Sequence, residues 1–216
     1  MRAHVRFAEK KPEREVLRLA AADARSVPWK NGRGTTLEYA LWPAEASLAR
    51  QDFDWRLSSA PVDEPGPFSV LPGVERILVV TEGAGCVLVH GEHAPRARLR
   101  RLAPYRFSGA WPTAAELPYG PVRDFNVMFR PERVDAEVEA VVLGERRMRE
   151  SLAAGHAFVH VLEGGLAARV TGEEQAFELG PGDSLWARGL RGGEELDLAG
   201  LSRSLEVLLV MLAELP

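Results

Sequence analysis

The sequence predicts an all-β protein built as two barrel-like halves from one duplicated module, and three observations predict it. Twenty Gly and 15 Pro punctuate short apolar runs rich in Val, Leu and Phe, the pattern of many strands joined by tight turns. Arg76-Ile-Leu-Val-Val-Thr-Glu82-Gly83 leads into Cys86-Val-Leu-Val-His90-Gly91, and Phe158-Val-His160-Val-Leu-Glu163-Gly164 leads into Ala167-Ala-Arg-Val170-Thr-Gly172. Each reads as a hairpin: a strand closed by Glu-Gly, a tight turn, and a second strand running to another Gly. Gly164 follows Gly83 by 81 residues, a spacing that implies an internal repeat of a β unit.

Taken in order, residues 1–15 form an N-terminal extension that mixes Arg, Lys and Glu and lacks the apolar core of a secretory signal. Residues 16–131 make the first module and 132–216 the second, an arrangement in which strands can be exchanged between halves. Ala44 to Gln51 is expected to form one or two helical turns, and Arg146 to Ala154 a short helix ended by Gly155. Strands ending in Pro-containing turns are expected at Leu99 to Pro104 and Ala176 to Gly182. Val134 to Val142 alternates as a strand joining the halves, and Leu205 to Leu212 reads as a buried strand.

Composition narrows the function. An apolar fraction of 46% beside 27% charged residues excludes a disordered chain. The longest apolar runs, Ile77 to Val80 and Val207 to Leu212, fall far short of the roughly 20 residues a membrane span needs. A single cysteine, Cys86, suits a reducing compartment, so a cytoplasmic location is expected. The net charge of −4 has interspersed signs and one local cluster, Arg96, Arg98, Arg100 and Arg101, so nucleic acid is not an expected partner.

Val161-Leu-Glu-Gly164 followed by Leu179-Gly-Pro-Gly-Asp183 resembles the two-part motif of the cupin barrel. A metal-bearing cupin carries a His-x-His pair and a Glu before the turn Gly, and a further His after Pro-Gly-Asp. Here Ala157 stands at the Glu position, Ser151 to Ala153 at the His pair, and no His follows Asp183. In the first half, Arg76 takes the carboxylate position. Neither a metal nor any other cofactor is therefore expected. His156 and His160 share one strand face but lack a third ligand, and His90 and His93 flank a turn glycine and read as solvated.

The cations and their neighbours suggest different chemistry. A guanidinium inside a barrel can hold a carboxylate or phosphate by two parallel hydrogen bonds, or it can form a structural ion pair, for Arg76 with Asp124 or Glu38. In Asp54-Trp55-Arg56-Leu57-Ser58, strand alternation puts Asp54, Arg56 and Ser58 on one face and Trp55 and Leu57 on the other. Asp124 and Asn126 likewise oppose Phe125 and Val127. If these faces look inward, the polar groups must meet each other or a ligand, because burying one unpaired costs roughly 2–7 kcal/mol. The Trp29-Lys30-Asn31-Gly32-Arg33-Gly34 turn offers backbone N–H groups and two cations before a strand with Thr36 and Glu38 on one face, so Trp29, Lys30, Asn31, Thr36 and Glu38 are candidate ligand contacts. Phe68, Tyr105, Phe107 and Trp111 can wall a pocket or fill the core, and Phe107, next to a Gly turn, is the candidate carried forward.

Trp29 to Glu38, Phe53-Asp-Trp-Arg-Leu-Ser-Ser-Ala60, Gly66-Pro-Phe-Ser69, Leu71-Pro-Gly73, Phe107-Ser-Gly109 and Gly120-Pro-Val-Arg-Asp-Phe-Asn-Val-Met128 together resemble the HutD/Ves family in order, spacing and wording. The resemblance implies a bicupin fold, a link to histidine utilisation or stress responses, and no established enzymatic reaction. It also implies a histidine-breakdown intermediate such as formylglutamate as ligand. The reading that follows is a metal-independent binder of a small acidic metabolite, with Arg56 and Arg76 as clamps and Asn126 for orientation. The alternatives are a metal-free isomerase or lyase using Glu38 and Asp124 as its acid–base pair, and a regulator acting by surface contact with a protein. By analogy with cupin sheets, a homodimer is expected.

Overall fold

The structure, a computed structural model, describes residues 13–29 and 34–215. The first eleven strands are β1 (Glu15–Leu19), β2 (Arg25–Pro28), β3 (Thr35–Trp42), β4 (Trp55–Val62), β5 (Gly66–Pro67), β6 (Glu75–Glu82), β7 (Cys86–Val89), β8 (Ala97–Leu99), β9 (Tyr105–Ser108), β10 (Ala114–Glu116) and β11 (Val122–Phe129). After a turn at residues 131–133 come β12 (Val134–Val142), β13 (Arg147–Glu163), β14 (Leu166–Val170), β15 (Phe177–Leu179), β16 (Ser184–Gly200) and β17 (Glu206–Glu214). Among the described residues the only helical segment is a 3-10 turn, Ala21–Asp23, and no helix is long and apolar enough to cross a membrane.

Both helical expectations are overturned. Ala44 to Gln51 is a series of turns, and Arg146 to Ala154 lies almost wholly in β13, where Arg147 to Leu152 pairs with Glu194 to Ala199 of β16. Ladder hydrogen bonds and the inward packing of Met148 and Leu152 outweigh a composition rich in helix formers. The strand expected at Leu99 to Pro104 sits earlier, at Ala97–Leu99.

A six-stranded sheet, β2-β3-β4-β11-β6-β9, faces a four-stranded one, β5-β10-β7-β8, across a core that includes Leu78, Val80, Cys86, Leu88 and Leu99. A seven-stranded sheet, β12-β17-β13-β16-β14-β15 with β1 paired to β16, curls around a second core that includes Leu152, Val159, Val161, Leu185, Leu198 and Val207. Pairing repeats between the halves: β6 lies between β11 and β9 as β13 lies between β17 and β16, and β7 pairs β8 as β14 pairs β15. Neither Glu-Gly segment is a hairpin, however, since β6 is not paired with β7 nor β13 with β14. Each turn instead passes the chain around a corner of its barrel. Gly83 (φ +90) and Gly164 (φ +83) adopt a backbone that side-chain-bearing residues avoid, and a Cβ on Gly164 would stand 2.0 Å from the Ser204 carbonyl oxygen.

A third core joins the halves. The outer face of the six-stranded sheet, with Trp55, Leu57, Val79, Phe125 and Val127, packs on Phe158, Trp186, Leu208 and Val210. Strands β4, β6 and β11 are thus covered on both sides, and period-2 alternation turns their other residues into the first barrel. β1 crosses to the second half: its register runs from Glu15 opposite Arg188 to Leu19 opposite Ser184. Asp183, in the Pro-Gly-Asp turn, secures it by accepting from Arg18 (2.8 Å) and the Ala21 amide (2.9 Å).

Candidate functional site

The polar faces read from the sequence look inward. Glu38, Arg56, Ser58, Arg76, Asp124 and Asn126 are all buried, none more than 7% exposed. Register sets them in rows across the first barrel. Arg56 stands opposite Met128, Met128 opposite Arg76, and Arg76 opposite Phe107. The next row is Glu38, Ser58, Asn126 and Leu78, and the third is Ala60, Asp124 and Val80. Asp54 lies just before β4 and ion-pairs with Arg133 at the surface, so it does not join them.

The two buried arginines differ. A register shift between Glu38 and Ala40 lets Tyr39 and Ala40 both serve the seam between the halves while Glu38 stays inside. There Arg56 Nε donates to one Glu38 oxygen at 2.6 Å and Arg25 to the other at 2.5 Å, and Arg56 also donates to Ser58 Oγ at 3.0 Å. Arg56 is a member of a structural ion pair, not an open clamp, and both oxygens of Glu38 are engaged. Arg76 makes no such pair among the described residues, with Asp124, Glu38 or any other carboxylate. It donates to the Ser69 carbonyl at 2.7 Å and lies 5.6 and 5.9 Å from the ring centres of Phe68 and Phe107. Among the described residues its Nε has no partner, and neither has Asn126 Oδ1.

Electrostatics follow burial. Desolvation pulls Arg76 down to about 10, against the attraction of Asp124 and helped by the repulsion of Arg56. The Asp124 carboxyl accepts from the Ala60 amide at 3.1 Å, yet burial pushes it up to about 7 despite that bond and the nearby arginines. Near neutrality this group is poised to give or take a proton.

His90 corrects another expectation. It is fully buried, with Nδ1 2.8 Å from Thr113 Oγ1 and Nε2 3.2 Å from the Tyr105 hydroxyl, and its ring lies 5.2 Å from Phe107. Its place beside a turn glycine suggests a solvated ring, but the residue just beyond β7 still points into the barrel. His93 is exposed and stacks on Trp111. Trp29 and Thr36 meet, indole Nε1 donating to the Thr36 hydroxyl at 2.9 Å. Lys30 and Asn31 lie outside the described residues.

The second barrel has no comparable interior. Ala157, at the position of a cupin carboxylate, belongs to its apolar core. His156 and His160 face the seam between the halves. His156 Nδ1 accepts from Trp186 Nε1 at 3.3 Å among the rings of Trp42 and Trp55, and His160 Nδ1 lies 2.9 Å from Ser184 Oγ. Burial carries both imidazoles down to about 4. Among the described residues no three His, Cys, Asp or Glu side chains gather as a metal site. Two surface clefts, of about 360 and 490 Å³, include no residue of the buried polar rows.

The sequence profile of the HutD family matches residues 21–205. Protein Ves of Cronobacter sakazakii is 36% identical over 146 residues, covering 66% of this chain and 75% of that protein. An uncharacterized 21.2 kDa protein in the hutC 3′ region of Pseudomonas putida is 36% identical over 122 residues, 56% of this chain and 62% of that one. The structure of HutD from Pseudomonas fluorescens SBW25, in a formate condition, superposes with a TM-score of 0.76 at 31% identity, covering 94% of this chain and 100% of that chain.

Proposed function

This chain belongs to the HutD family, and from that premise we propose that it is a metal-independent binding protein whose first barrel senses a small acidic metabolite for amino-acid, specifically histidine, utilisation. The observation that carries the reading is the buried Arg76 guanidinium, with no carboxylate against it and an orphaned Nε, on the same inner face as the orphaned oxygen of Asn126. A buried cation of this kind is costly alone and suits a carboxylate that brings two parallel acceptors.

The remaining groups refine the ligand. Asn126 Oδ1 needs a donor, which the N–H of an N-acylated amino acid supplies. Asp124, able to stay protonated near neutrality, can donate to a second carboxyl or a carbonyl. N-formylglutamate carries all three features. The engagement of both Glu38 oxygens favours binding over acid–base catalysis with Glu38 and Asp124.

Isothermal titration with N-formylglutamate, glutamate and formate tests the proposal. Saturable binding is expected, tightest for N-formylglutamate and weakened about tenfold or more by Arg76→Met. Absence of heat at millimolar N-formylglutamate overturns the choice of ligand, and absence of binding to any carboxylate overturns the class.

A further inference from the structure

Two edge strands carry opposite charge at the same spacing. β12 ends the seven-stranded sheet and, among the described residues, pairs only with β17. Asp135, Glu137 and Glu139 are exposed along it and alternate with Val134, Ala136 and Val138, which pack into the seam between the halves. β8 ends the four-stranded sheet and, among the described residues, pairs only with β7. Arg96, Arg98 and Arg100 are exposed on and beside it, alternating with Ala97 and Leu99, which pack into the first barrel.

Most of these charges are uncommitted. Arg96 pairs with Glu116, and Asp135 lies 3.6 Å from Arg106. Among the described residues no ion pair involves Arg98, Arg100, Glu137 or Glu139. Each edge leaves a row of backbone N–H and C=O groups open to another strand. Pairing β12 with a second β12, or β8 with a second β8, sets like charges across from one another, which is destabilising. Pairing β8 with β12 does the reverse. With the middle residues aligned, Arg98 stands opposite Glu137 in either strand direction, and the flanking arginines meet Asp135 and Glu139. The apolar residues of both strands then fall on the matching inner face.

The two edges also share a flank. Arg101, just beyond β8, forms an ion pair with Glu206, whose register partner is Val142 at the end of β12. A two-fold axis beside this flank lets each copy give its β8 and receive on its β12, so the contact closes at two chains. We propose that the chain forms a two-fold dimer in which β8 of each copy extends the sheet at β12 of the other. This proposal does not depend on the ligand read for the first barrel.

Sedimentation equilibrium on the full chain at low ionic strength, with Arg98→Glu and Glu137→Arg, tests it. Each variant alone faces like charge at both contacts, and its dimer dissociation constant is expected to rise about tenfold or more. An equimolar mixture of the two restores opposite charge at both contacts and is expected to dimerise like wild type. Thermal unfolding should match wild type at limiting dilution, because both positions are exposed. A wild-type chain that stays monomeric at its highest soluble concentration overturns the proposal and leaves the acidic edge to a basic segment of another protein. A dimer indifferent to both substitutions, or folded variants that stay monomeric when mixed, overturns it as well.

Discussion

Replacing Arg76 with Met separates a binding role from a structural one, because the local terms nearly cancel in the folded protein. Burial, by lowering the guanidinium to about 10, withholds about 3 kcal/mol from its charged form. A basic group lowered by folding is a liability at every pH below its folded value, and that liability fades only as pH rises above about 10 towards the ordinary arginine value. Against it stand one charge-assisted bond to the Ser69 carbonyl, worth about 1.5–3 kcal/mol, and two ring contacts of about 0.5–1 kcal/mol each. Met keeps much of the stem's packing, so the unfolding free energy is expected to change by no more than about 1–2 kcal/mol. The same substitution removes the charge-assisted pair to a bound carboxylate, about 1.5–3 kcal/mol, or roughly 10- to 150-fold in affinity. Urea unfolding read beside calorimetric titration measures both. A chain that loses more than about 3 kcal/mol of stability while binding the carboxylate unchanged refutes the argument.

Arg56→Met should behave oppositely although its residue is equally buried: it strips Glu38 of its buried partner, costing about 3–5 kcal/mol and lowering the melting temperature by about 6–20 °C. A loss under about 1 kcal/mol contradicts the ion-pair reading. For Asp124, whose folded value of about 7 exceeds the ordinary 3.8, the folded chain holds its proton longer than the unfolded one, so stability falls as pH rises between those values. Denaturation at pH 5 and pH 7 should show wild type losing about 2–3 kcal/mol relative to Asp124→Asn, and parallel profiles count against it. In the Asp124→Asn chain, where that slope is gone, His156 and His160 dominate the acid side. Their depressed values mean that stability, full above pH 6.5, is lost as pH falls towards about 4, by about 3 kcal/mol each. A flat profile across that window excludes two buried neutral imidazoles.

Much of the architecture was legible because strand alternation is local. Val134 to Val142 occupies the span its alternating pattern indicated, and the Leu205 to Leu212 run is a strand. The repeat shows at its two Glu-Gly corners, where positive φ demands glycine. What those corners connect was not legible, since a turn that closes a hairpin and one that rounds a barrel use the same residues. Met148, Glu150 and Leu152 alternate as strand residues do, but intervening Arg, Ser and Ala gave the segment a helical composition, and only distant β16 decides between the two. The inner rows followed from alternation in Arg56, Ser58, Asp124 and Asn126. Their partners did not, because the pairing of Glu38 with Arg56 depends on a bulge and on register between strands. His90 was missed because a position beside a turn glycine carries no local sign of burial.

The crossing of β1 ties together stretches made far apart in synthesis. Residues Glu15 to Leu19 leave the ribosome long before the strand they pair with, Ser184 to Arg188. Until then β1 has no sheet to join, and the edge of β16 that it covers does not exist. Long-range pairing of this kind slows folding and leaves apolar strand edges open to other chains in the interim. The first barrel can gather its own core earlier, but the second half becomes complete only when β1 returns to it. Severing the chain between β11 and β12 would therefore not yield two finished halves, since the C-terminal piece would lack a strand and expose β16 where β1 had lain.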